Sequence, residues 1–117
     1  MQSDKNLSRF TKAQEGIYET ALFELRNGWK QSHWMWFIFP QIDGLGKSDT
    51  TRYYAIKNKE EAQLYLNHPL LGTRLLECSK AVLEIEGRTV SDIFGYPDDM
   101  KFKSSMTLFA AVSPGTV

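Results

Sequence analysis

Apolar residues recur along most of this chain at helical spacing. Between Ser8 and Asn27 the positions Phe10, Ala13, Ile17, Ala21, Leu22 and Leu25 step by three and four and share one face. Lys12, Glu15, Glu19 and Arg26 fall on the other face. The pattern predicts one amphipathic helix, N-capped by Ser8 and stopped by Gly28, with residues 1–6 as a frayed tail. A second stripe, Leu71, Leu75, Cys78, Val82 and Ile85, predicts the best-formed helix, with Pro69 at its first position and Gly87 at its end.

The shorter segments carry their own start signals. Asn58 and Glu61 have the spacing of a capping box and open a helix through Ala62, Leu64, Tyr65 and Leu66 to Asn67-His68. Thr50 or Thr51 opens a short turn through Tyr53, Tyr54 and Ala55. Thr89 caps another that holds Val90, Ile93 and Phe94 and closes at Gly95. Tyr96-Pro97-Asp98-Asp99 begins the last helix, its acids near the positive end of the helix dipole. Met100, Met106, Phe109 and Ala110 are expected to face inward there.

Trp34-Met35-Trp36-Phe37-Ile38-Phe39 organises the rest. It holds two of the 3 tryptophans and two of the 7 phenylalanines, and so dense an apolar run has to be buried. A strand is one reading, because Trp, Phe and Ile favour sheet. The run shows no alternation and has no second run to pair with, so a short helix over 33–39, capped by Ser32 and ended by Pro40, is preferred. Trp34 and Trp36 fall on different faces, so at least one can be partly exposed, although core packing is the expected role of both. The predicted fold is all-α: an irregular orthogonal array of about five to six helices around the aromatic segment, in a single domain over 1–117.

Composition narrows the function classes. With 14 basic and 14 acidic residues the formal net charge is zero, which removes the electrostatic footprint of a nucleic-acid binder. The 1 cysteine, Cys78, lies on an apolar stripe, where a small core residue is a better reading than a nucleophile. A lone thiol also points to a reducing compartment. The polar start Met1–Asn6 is no signal peptide, and the Trp34–Phe39 run is far too short to span a bilayer. A cytoplasmic protein without membrane contact is expected.

The candidate chemistry is sparse. Gly44-Leu45-Gly46-Lys47-Ser48 ends like a P-loop, but Gln41 stands where the motif needs its first glycine. A looser anion-binding loop remains open. His33 and His68 have no partner ligands at metal-binding spacing, so neither a metal nor a cofactor is implied. His68 before Pro69 reads as a cap or a surface residue, whereas His33 stands at the mouth of the aromatic segment and reads as a hydrogen-bonded structural histidine or a proton-transfer group. Ser104, Ser105 and Thr107 place hydroxyls inside a helix, where they contact neighbouring backbone or line a pocket. No GxSxG elbow is present, and Lys101-x-x-Ser104 reverses the SxxK order.

The words SHWMWFIFPQ, GLGKS, YAI, EAQLYL, HPLLG and DDMKFKSSMTLFAAV, spread from about Arg9 to Val112, resemble the bacterial family catalogued as domain of unknown function 1810. The resemblance implies a small, mainly helical cytoplasmic protein and brings no mechanism. Members of that family continue past the last helix, so a C-terminus truncated relative to them is expected, with an exposed apolar patch that invites a homodimer.

These readings together predict a small-ligand-binding domain, an enzyme among its forms, acting on an anionic or nucleotide-like molecule. Lys47, Arg52 and Lys101 would hold the anion and Trp36 would stack on it. Gln41, Gly44, Gly46, Ser48 and Ser105 would complete the site, with His33 as the proton-transfer group and Asp99 orienting a basic partner. The alternative is a helical protein–protein interaction module without catalysis.

Overall fold

The computed structural model of the chain describes residues 2–113, with side chains from Leu7 onward. Its helices are α1 (Gln2–Gln14), α2 (Tyr18–Arg26), α3 (Met35–Ile38), α4 (Asp49–Tyr54), α5 (Lys59–Asn67), α6 (Leu71–Leu83), α7 (Val90–Phe94) and α8 (Asp98–Ala111). The fold is all-α, with one isolated parallel bridge between Ile42 and Ile56 among the described residues. Eight helices exceed the five to six expected. Two segments expected as mere turns are formed helices (α4 and α7), and the first predicted helix is two.

That split lies at Gly16, whose φ of +75° no continuing helix can hold. Ser8 lies inside α1, which already begins at Gln2 where a frayed tail was expected, so it is not the N-cap of that helix. The predicted stripe is still buried, shared between Phe10 in α1 and Ala21, Leu22 and Leu25 in α2.

The aromatic segment sits at the centre, as expected. Helix α3 is one turn long, capped at Trp34 without a side-chain bond, and Ser32 is used elsewhere. It packs against α1, α4, α6 and α8. Trp34 and Phe39 face one aromatic cluster, in which Phe39 meets Phe102 edge-on at 4.9 Å and Phe94 stacks on Phe102 at 5.0 Å. Phe37 faces another, 5.4 Å from Tyr54, which leads through Phe10 to the buried Tyr65. Such pairs add about 0.5–1.5 kcal/mol each beyond burial. The run thus feeds two aromatic groups within one core, which explains why its pattern shows no clean period.

Several local predictions shift. Asn58 accepts the Glu61 amide, but the Glu61 carboxylate returns to the Lys57 amide rather than to Asn58, so the box is displaced by one residue. Helix α6 starts at Leu71, beyond Pro69, and ends at Leu83, before Gly87. The Thr89–Asp92 pair forms a complete capping box on α7. In α8 the buried side is Asp99, Phe102, Ser105 and Phe109, while Met100 and Ala110 are exposed. Two polar residues on that stripe hid its register from an apolar count.

Candidate functional site

The position of the aromatic segment depends on Glu24 of α2, which is only 7% exposed. Its Oε1 accepts the Gln31 amide at 2.8 Å, the Ser32 amide at 2.9 Å and the Trp34 indole N–H at 2.9 Å. Its Oε2 accepts the Ser32 hydroxyl at 2.5 Å. Burial pushes this carboxyl up, but the donors win and hold it below its ordinary value. The four donors fix the path from α2 into α3.

A second charge cluster joins this path to α8. The Lys30 ammonium, on a side chain 7% exposed, lies 2.9 Å from Asp98 Oδ2 and donates to the Ser32 carbonyl at 2.6 Å. Lys101 approaches the same carboxylate at 3.6 Å, with its ammonium 5.5 Å from the centre of the Trp36 ring. One carboxylate thus faces two cations, and Lys101 is the more loosely held. Asp99 plays no part in this. It accepts the Ser91 hydroxyl and the Met100 amide, both at 2.8 Å, on the α7 side.

Lys101 stands between a narrow inner recess and an open outer groove. The recess is walled by Trp36, Phe39, Ile42 and Tyr54. The groove is open to solvent and runs between Leu45 and Gly46 on one side and Tyr96, Pro97, Met100 and Ser104 on the other. Gln41, Thr51 and Lys101 line both. Gln41 is positioned by its carbonyl, which accepts the Ile56 amide at 2.8 Å, beside the matching bond from Asp43 to Ile56. Of the two tryptophans in the aromatic segment, Trp36 is partly exposed and Trp34 is fully buried.

The glycine-lysine-serine loop has a packing explanation. A Cβ on Gly46 would lie 2.2 Å from the Thr51 methyl, so only glycine lets the loop lie against α4. Ser48 caps that helix, accepting the Thr51 amide at 3.1 Å and donating to the Thr51 hydroxyl at 2.8 Å. Helix α4 is 6 residues long, no strand precedes the loop among the described residues, and the P-loop context is absent. Gly44, Lys47 and Arg52 are exposed beside the groove and do not line it.

Of the residues predicted from sequence, Trp36, Gln41, Gly46 and Lys101 come together. His33 is exposed in the bend before α3, outside the groove lining. Ser105 lies one turn below Lys101 on α8, fully buried, and its hydroxyl has no hydrogen-bond partner among the described residues. His68 is the C-cap residue of α5, and its Nδ1 accepts the amides of Leu70 at 3.1 Å and Leu71 at 3.2 Å ahead of α6. Cys78 is buried, and burial pushes its thiol up to about 12, far from a nucleophile's range.

Sequence reasoning missed Glu24, Lys30, Thr51 and Tyr96. Glu24 had a usable signal: an acid beside Leu25 on an apolar stripe implies a buried partner, and Ser32 and Trp34 follow within ten residues.

A family model described as "Protein of unknown function (DUF1810)" matches residues 4–117. A crystal structure of the conserved hypothetical protein Rv1873 from Mycobacterium tuberculosis is similar at 52% identity and a TM-score of 0.91, covering 92% of this chain and 77% of that one. No curated protein matches.

Proposed function

Because the chain belongs to the DUF1810 family of proteins of unknown function, we propose its role from the groove itself: it is a binding domain for a small anionic molecule, seated between the 41–51 loop and the start of α8. The observation that carries this reading is Lys101, an ammonium held over Trp36 and shared out of a full ion pair by Lys30. Gln41, Thr51 and Ser104 add polar groups to the same groove. Ligand sites combine an apolar wall with a few convergent polar groups in this way.

Binding is favoured over catalysis because the groove lining contains no histidine, cysteine or carboxylate side chain. The ligand would be a metabolite of the cytoplasm, the compartment that suits a lone buried thiol. No helix among the described residues is long and apolar enough to cross a membrane.

A melting-temperature screen against nucleotides, sugar phosphates and carboxylic acids tests the proposal. A ligand at 100 times its Kd stabilises by about 2.7 kcal/mol, an effect easily seen in the midpoint. The midpoint should rise with at least one anion, and the rise should be lost in Lys101→Met. A midpoint that ignores every compound and falls on dilution favours the interaction module instead.

A further inference from the structure

We propose that the groove selects a monoanion with a flat apolar body, an aromatic carboxylate in class, over a nucleoside polyphosphate; this narrows the ligand reading above and rests on it. Charge supplies the first argument. Lys101 is the one charged side chain among the groove-lining residues. Its partner Asp98 is already paired more closely with Lys30, at 2.9 Å against 3.6 Å. A ligand anion can therefore draw Lys101 away without stranding the carboxylate. One ammonium neutralises one negative charge, and a polyphosphate would bring several.

The start of α8 offers no open backbone donor to make up the difference. At the start of α8 the amides of Asp99, Met100 and Lys101 already reach the carbonyls of Gly95 and Pro97, at 2.9, 3.0 and 3.2 Å. Phosphate sites are ordinarily built from such amides left open.

The rim supplies the second argument. Tyr96, Leu45 and Met100 are 85%, 58% and 54% exposed around one groove, an apolar surface suited to both faces of a ring. The Gln41 amide and the Ser104 hydroxyl line the same groove and form no side-chain hydrogen bond with another described residue. They can serve the second oxygen of a carboxylate whose first oxygen meets Lys101.

The test is an NMR titration of the full chain with naphthalene-2-carboxylate, its neutral carboxamide, and ATP. Saturable shifts at Gln41, Thr51 and Ser104 are expected with the carboxylate, at least tenfold tighter than with the carboxamide or ATP. Lys101→Met should weaken the carboxylate tenfold, which corresponds to about 1.4 kcal/mol. Met100 is exposed, so charges placed there leave the fold intact: Met100→Glu should weaken binding and Met100→Lys should tighten it. Preference for ATP overturns the monoanion and leaves the ligand site standing. Equal binding of the carboxamide, or Met100 variants that do not diverge, overturns it as well. Failure of all three compounds to saturate overturns both readings.

Discussion

Replacing Glu24 by Gln keeps the shape of the side chain and removes its charge. With the amide oxygen at the Oε1 position, it still meets the three N–H donors of Gln31, Ser32 and Trp34, and the Ser32 hydroxyl can rotate to accept from the new NH₂ group. Each bond falls from the charge-assisted class, about 1.5–3 kcal/mol, to the neutral class, about 0.5–1.5 kcal/mol. Three such losses come to about 3 kcal/mol, and relief of the buried charge's desolvation returns part of it. The expected net cost is about 2 kcal/mol, or roughly 5–10 °C in midpoint for a chain of this size. Glu24→Ala leaves the buried Trp34 indole and two part-buried amides without their acceptor and should cost about 3 kcal/mol or more.

Urea denaturation followed by circular dichroism measures both. The carboxyl's folded value is depressed below its unfolded 4.5. The wild-type advantage over Glu24→Gln should therefore be complete above about pH 4.5 and vanish as the pH falls through the folded value. A Gln variant as stable as wild type at pH 7, or one equal to the Ala variant, would refute the role given to this carboxylate.

Three other substitutions or reagents test separate parts of the fold. Ser105→Ala removes a buried hydroxyl that has no partner among the described residues and should be neutral or stabilising by up to about 1 kcal/mol; a loss of that size in chemical denaturation contradicts it. Gly72→Ala gains about 1 kcal/mol of helix propensity but puts a Cβ 1.9 Å from the Leu66 carbonyl oxygen. That oxygen is backbone and cannot yield, so overpacking between α5 and α6 should win by about 2 kcal/mol, and a variant as stable as wild type would be evidence against the close approach. Cys78, pushed up to about 12 by burial, should resist a thiol-specific reagent at pH 8 until urea unfolds the chain. Fast labelling of the native protein is the contrary result.

Much of the fold was legible in the sequence because its long helices carry unbroken stripes. Leu71, Leu75, Cys78 and Val82 were visible as a buried face and are one. The break at Gly16 was not visible, because Ala13 and Ile17 keep helical spacing across it while only the sign of φ changes. The register of α8 was missed for a different reason: Asp99 and Ser105 occupy its buried stripe, so the apolar residues alone pointed to Met100. Part of the site was recoverable. Lys101, Gln41 and Trp36 were chosen for their chemistry and meet at the inner recess. The Lys47–Ser48 word drew attention for its likeness to a phosphate loop, yet Gly46 and Ser48 serve packing and capping. Spacing cannot distinguish those uses, since both ask for a small residue and a hydroxyl at a turn.

A crystal of the full chain soaked with a mixed library of small aromatic acids and phosphates would test the account where it commits most. Density should appear between Leu45 and Tyr96, with an anionic group within about 3 Å of the Lys101 ammonium. Ordered density instead on the Phe23–Arg26 face of α2, with the α8 groove left empty, would contradict it.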